Sequence, residues 1–210
     1  MFAIINATVE PVTSPRINHG TVIVKNGKIA SVGTNIKLPK DIQIIDARGS
    51  LLTPGLMDAH SHAGLWEDGS VNDGDVNEKS HPVTPQLRAL DAFRPSDPAL
   101  IEAAQSGVTS IFVTPGSTNV FCGLGAVVKT AAKDFNSQIV KPDAGLKMAT
   151  GENPKRAYGS KMMPFSRMGT AAIMRSTFTK ASIYAQKKYG RKKRKMSCLR
   201  LIAILMQSAV

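Results

Sequence analysis

The stretch Thr53 to Gly64, TPGLMDAHSHAG, constrains this chain more than any other. Pro54-Gly55 interrupts whatever precedes it, and Leu56-Met57-Asp58-Ala59-His60 then reads as a strand running into a loop. Side chains two positions apart on a strand share a face, so His60 and His62 project together from its end. Two imidazoles on one side suit a borderline divalent ion such as zinc. The competing reading of a bare His-x-His is two surface histidines in a loop. Asp58 either orients a ligand from behind or satisfies the amides at the strand end.

The residues on either side follow different patterns. Over residues 1–53, β-branched runs alternate with turn signals: Ala3 to Val9, Thr21 to Val24, Ile29 to Val32, Ile42 to Ile45 and Leu51-Leu52. Asn26-Gly27 between the second and third run is the strongest short hairpin signal. This predicts a small antiparallel, sandwich-like β module, too small for a large core of its own.

Residues 54–186 read as strands alternating with helices, the pattern of a parallel sheet or barrel. The strands are Leu56 to His60, Thr109 to Val113 and Leu146 to Ala149, with Ala126 to Lys129 and Ile139-Val140 as shorter candidates. Asp97 is placed to cap a helix running through Ala104 to a stop at Gly107, and Met168 to Lys188 has helical composition. Residues 64–95 are polar and turn-rich, with Asp68, Asp73, Asp75 and Glu78, and so long a connection is expected to act as a lid.

Charge separates the chain again. Residues 1–146 hold 12 Lys/Arg and 14 Asp/Glu, whereas residues 147–210 hold 15 Lys/Arg and one acid, Glu152. The overall basicity therefore cannot by itself argue for nucleic-acid binding, and none that is specific is expected. Cys122 and Cys198 form no CxxC pair, and neither a signal peptide nor an apolar run of membrane-span length is present. A reduced, cytoplasmic setting is the expectation.

With these residues in view, a resemblance becomes specific. Pro54-Gly55-Leu56-Met57-Asp58-Ala59-His60-Ser61-His62 resembles the first metal motif of the amidohydrolase superfamily, and the β module with Asn26-Gly27-Lys28-Ile29 and Asp46-Ala47-Arg48-Gly49 is similar to the small domain that precedes it there. Pro115 to Val120 and Lys147 to Lys155 resemble the imidazolonepropionase-related branch. The resemblance covers about residues 1–185 and implies a (β/α)₈ barrel of the TIM type, whose strand ends hold one or two divalent ions, zinc foremost. It implies an enzyme in which the ion activates water against an amide, lactam or amidine carbon of a small molecule. His60 and His62 carry over as ligands by direct match. Glu152 carries over where some members use a carboxylate in place of a carboxylated lysine; its alternative is an ordinary first-turn residue of a helix opened by Asn153-Pro154. Lys147 is the rival for that bridging position, and its alternative, the favoured one, is a plain structural residue of the strand. His81 reads as exposed, His19 as a β-module residue away from any metal motif, Trp66 as a loop anchor or a pocket border, and Gly123-Leu124-Gly125 as too short for a phosphate loop. No catalytic acid or base is identifiable.

The chain also departs from that pattern. A barrel of this type takes roughly 250 residues, and 155 follow Gly55. No histidine follows His81 and no carboxylate follows Glu152. Residues 187–210, with the basic block Lys187 to Lys195 and the apolar run Leu201 to Met206, read as the product of a shifted frame or as a polybasic tail for polyanions. A truncated hydrolase of low activity is expected, one prone to self-association through unpaired strand edges. The alternatives are a dipeptidase of the same superfamily and a non-catalytic basic protein.

Overall fold

The computed structural model describes residues 1–66 and 74–189, and the chain divides into two units, Met1–Gly55 and a second beginning at Leu56. Asp68 and Asp73 of the expected lid lie outside the described residues, as do Arg191 to Lys195, Cys198 and the Leu201 to Met206 run of the tail.

In the first unit, β1 (Phe2–Val9) lies between β2 (Ile17–Lys25) and β4 (Gln43–Asp46), with β3 (Lys28–Gly33) outside β2. Asn26 and Gly27 both take positive φ, 52° and 71°, the turn whose twist matches that of the flanking strands. The expected antiparallel sandwich is corrected here. β4 and β5 (Leu51–Leu52) pair parallel to β1, giving one mixed five-stranded sheet. Residues 34–42 carry the chain from one sheet edge to the other, so β4 enters in the direction of β1; an alternation pattern carries no information on direction. Ala7, Val9 and Val22 form the centre of the packed face, with Ile4, Ile17, Val24 and Leu52 around them.

In the second unit, β6 (Leu56–Ser61) and β7 (Val108–Val113) pair in parallel. Their crossover holds α1 (Ala89–Ala92) and α2 (Pro98–Gln105), so one βαβ unit is formed as expected. Asp97 caps α2 by accepting from the Ala99 amide, and Pro98 follows at a position where its missing N–H is harmless. The next strand departs from the parallel expectation. β8 (Phe121–Lys129) runs antiparallel to β7, and β9 (Ile139–Met148) runs antiparallel to β8. The described residues thus form an open four-stranded mixed sheet, β6-β7-β8-β9, and no closed barrel. The Gly123-Leu124-Gly125 run disguises the first half of β8, because glycine has poor strand propensity. There it admits the Leu87 carbonyl and the Phe112 ring, which press where Cβ atoms would stand.

β8 is buried along almost its whole length, as a strand covered on both faces should be. One cluster joins Ile111, Val113, Ala126 and Val128 to Phe93 and Leu100 on the α1–α2 side. A second joins Val120 and Phe121 to Ala181 and Ala185 of α5 (Arg167–Tyr189), with the Phe121 and Phe178 rings edge to face at 5.4 Å. A single turn, α3 (Phe135–Gln138), leads into β9, and the short α4 (Glu152–Tyr158) links β9 to this layer. Residues 74–88 are not a free lid. Val76 and Thr84 are buried, and the backbone at 76, 82, 84 and 87 bonds to Gly116, Val120, Phe121 and Leu124. Among the described residues no helix is long and apolar enough to cross a membrane.

Candidate metal centre

β6 ends at Ser61, and the structure brings the two histidines together there: the His60 and His62 rings meet edge to face with centroids 5.2 Å apart. Asp58 Oδ1 accepts from the His60 amide at 2.9 Å, so this carboxylate satisfies the strand-end backbone. His62 is half-buried, and its Nδ1 lies 2.7 Å from the carbonyl oxygen of Thr114, just past the end of β7. A carbonyl can only accept, so Nδ1 carries the proton and Nε2 keeps a bare lone pair. Burial holds the His62 pKa below the ordinary histidine range, and the nearby His60 and Lys147 push it the same way against the opposing Thr114 bond. A neutral imidazole of fixed tautomer, with Nε2 unprotonated, is the form a metal ion takes.

The third group in contact is Lys147, near the end of β9, whose Nζ lies 2.9 Å from His60 Nε2. An ammonium has donors only, so His60 also turns a lone pair outward, toward a point where a cation already stands. Glu152 lies elsewhere in its bonding. It occupies the first turn of α4, is exposed, and its carboxylate holds Lys155 Nζ at 2.6 Å one turn on. That bond is the main reason its pKa is lowered. Among the described residues no three His, Cys, Asp or Glu side chains converge, so Glu152 does not join His60 and His62 in such a cluster. His81 is exposed, its Nδ1 accepting from the Val83 amide, and His19 lies exposed in β2. Trp66 is 46% exposed; its backbone bridges to Ala63 and its amide donates to the His62 carbonyl at 3.0 Å.

Beyond the Asp97 cap of α2, the support around the pair was not visible in the sequence. Asp97, buried, accepts from the Gly64 amide at 2.6 Å as well as from Ala99, tying the loop after His62 to α2. Gly64 has φ 85°, and a Cβ there would stand 2.4 Å from the Phe93 ring. Cys122 is buried and donates to the Asn119 carbonyl; burial pushes its thiol up to about 11, which removes it as a nucleophile near neutral pH. A cavity of about 270 Å³ has walls that include Leu65, whose amide bonds the His62 carbonyl, and Pro115, which follows Thr114. Asp75, Glu78, Arg88 and Asp91 give it polar walls.

No protein-family model matches the chain. A solved amidohydrolase structure from Thermotoga maritima superposes on 98% of this chain with a TM-score of 0.85 and 45% identity, which is 54% of that protein. The amidohydrolase tasK of Hapsidospora irregularis is 36% identical over 179 residues, 78% of this chain and 18% of its own length. An imidazolonepropionase of Vibrio cholerae is 34% identical over 112 residues, 46% of this chain and 28% of its own, and 5′-deoxyadenosine deaminases match over a similar span. The chain thus spans about half of the solved structure and 18–28% of the two relatives measured above, over their N-terminal part.

Proposed function

Because the chain belongs to the amidohydrolase superfamily and corresponds to the N-terminal part of its members, we propose that it serves metal-dependent hydrolysis of carbon–nitrogen bonds other than ordinary peptide bonds, in small cyclic amides or amidines. The observation that carries this reading is the histidine pair, with the Nδ1 proton of His62 held by the Thr114 carbonyl. His60 and His62 would hold the ion, zinc or a similar divalent metal, through Nε2. The ion supplies Lewis acidity and makes water nucleophilic near neutral pH.

The chain's own residues do the preparatory work. Thr114 fixes the tautomer and plane of His62, and burial favours the neutral ring over the imidazolium. Asp58 holds the backbone at His60. For the third position we place Lys147 ahead of Glu152, because Lys147 Nζ already meets His60 whereas the Glu152 carboxylate is taken by Lys155. As the family resemblance implies, a carboxylated Lys147 would present an oxygen ligand at that point.

The experiment is to measure metal content and turnover on a panel of lactams and amidines, with the double variant His60→Ala/His62→Ala beside the parent. Loss of both metal and turnover is expected. Unchanged metal content in the double variant would overturn the ligand assignment.

A further inference from the structure

The loop after β7 contains a buried polar network that the proposed site does not itself account for. Asn119 is 2% exposed, and all three of its side-chain hydrogen-bonding groups are engaged. Its Nδ2 donates to the Glu78 carbonyl at 2.8 Å and to Thr84 Oγ1 at 2.6 Å; its Oδ1 accepts from the Tyr158 hydroxyl at 2.6 Å. Thr84 in turn donates to the Phe121 carbonyl at 3.0 Å. The polarity of this chain is unambiguous. Burial raises the Tyr158 pKa, so its hydroxyl keeps the proton it gives to Asn119, and an amide nitrogen cannot accept one. Neighbouring staples run the same way: Thr118 N to Asn77 Oδ1, Gly116 N to the Val76 carbonyl, and Asn153 Nδ2 to Ser117 Oγ at 2.7 Å.

These bonds join two segments that each reach the histidine pair. One is the loop 114–119, which begins with the carbonyl that fixes His62. The other is α4, which carries Tyr158 and follows the strand that carries Lys147. A hydrophobic contact would hold them together but would allow small rotations. Directional bonds among buried partners admit one arrangement, since breaking any of them strands a polar group.

We infer that Asn119 is a positioning residue for the histidine pair, setting the Thr114 carbonyl and the Lys147 strand end in a fixed relation through Glu78, Thr84 and Tyr158. The inference rests on the reading of His60 and His62 as a functional pair. It predicts that removing one hydroxyl, remote from both histidines in sequence, loosens the His62 bond while leaving the fold intact.

The test uses the 210-residue chain. Tyr158→Phe keeps the ring and its packing but removes the donor to Asn119. The first readout is solvent exchange of the His62 Nδ1 proton, followed by nitrogen–proton NMR. Exchange about tenfold faster than in the parent is expected, the weight of one buried hydrogen bond. Val128→Ala, at the far end of β8, serves as a control that lowers stability without touching the network, and it should leave that exchange unchanged. An unchanged rate in Tyr158→Phe, or an equal acceleration in Val128→Ala, would overturn the inference. A zinc titration supplies the second readout, with about three- to tenfold weaker binding expected in Tyr158→Phe. If the parent binds no zinc while the exchange difference holds, the metal reading fails and the positioning role stands.

Discussion

Replacing Asp97 with alanine removes two interactions that the structure separates cleanly. One is the helix cap: Asp97 Oδ1 accepts from the Ala99 amide at 2.9 Å, and losing such a cap costs about 1 kcal/mol. The other is the bond from the Gly64 amide to Oδ2 at 2.6 Å, in a site where Asp97 is 5% exposed. Leaving that N–H without a partner costs about 1–3 kcal/mol. Asp97→Ala should therefore destabilise the second unit by about 2–4 kcal/mol, a large share of the roughly 5–15 kcal/mol that holds a domain together. Asp97→Asn separates the two parts. Its oxygen can still cap α2, but its amide faces the Gly64 N–H donor to donor, so it should recover about 1 kcal/mol of the loss and no more. Urea unfolding with unchanged m-value measures both, and hydrogen exchange at the Gly64 amide reports the local bond. A loss under about 0.5 kcal/mol in Asp97→Ala, or full recovery in Asp97→Asn, would refute this account of how the His62 loop is anchored.

Four further outcomes follow from the structure. Gly64→Ala forces a positive φ on a side chain that meets the Phe93 ring, and should destabilise by about 2 kcal/mol or more in urea unfolding; a neutral result would mean the ring yields freely. Cys122, with its thiol pushed up to about 11 from an ordinary value of 9.0, should hold about a hundredfold less thiolate at pH 8, so native iodoacetamide labelling mapped by mass spectrometry should miss it. Because its folded pKa lies above the unfolded one, its contribution to stability is present below pH 9 and is lost as pH rises from there toward 11. With Lys147 carboxylated in bicarbonate buffer, as proposed above, Lys147→Met should weaken zinc binding at least tenfold, while Glu152→Gln should change it less than twofold in the same titration; the reverse order would return the third position to Glu152.

The histidine pair was legible in the sequence because its geometry is local: a strand puts residues two apart on one face. So were the Asn26-Gly27 hairpin, the Asp97 cap and the helix from Met168 onward, each specified by a short pattern. What escaped was non-local or polar. His62 and Thr114 are 52 residues apart, and nothing about a threonine after a strand announces that its carbonyl will hold an imidazole. Glycines hid the first half of β8, and the reversal it makes turned an expected parallel sheet into a mixed one. Period-two alternation describes faces and not directions, so the parallel pairing of β1 with β4 could not be read either. Glu152 and Lys147 were both visible as candidates, but only side-chain placement separates a carboxylate paired one turn away from an amine against His60.

A zinc titration followed at the ring nitrogens of all four histidines distinguishes a metal centre at His60 and His62 from an ordinary pair of imidazoles. His19 and His81 are exposed and serve as internal controls within the same chain. Saturable shifts are expected at the Nε2 atoms of His60 and His62, with His19 and His81 unmoved and the His62 Nδ1 proton still donated to the Thr114 carbonyl. Equal, non-saturating shifts at all four histidines, or none at His60 and His62, would contradict the metal centre.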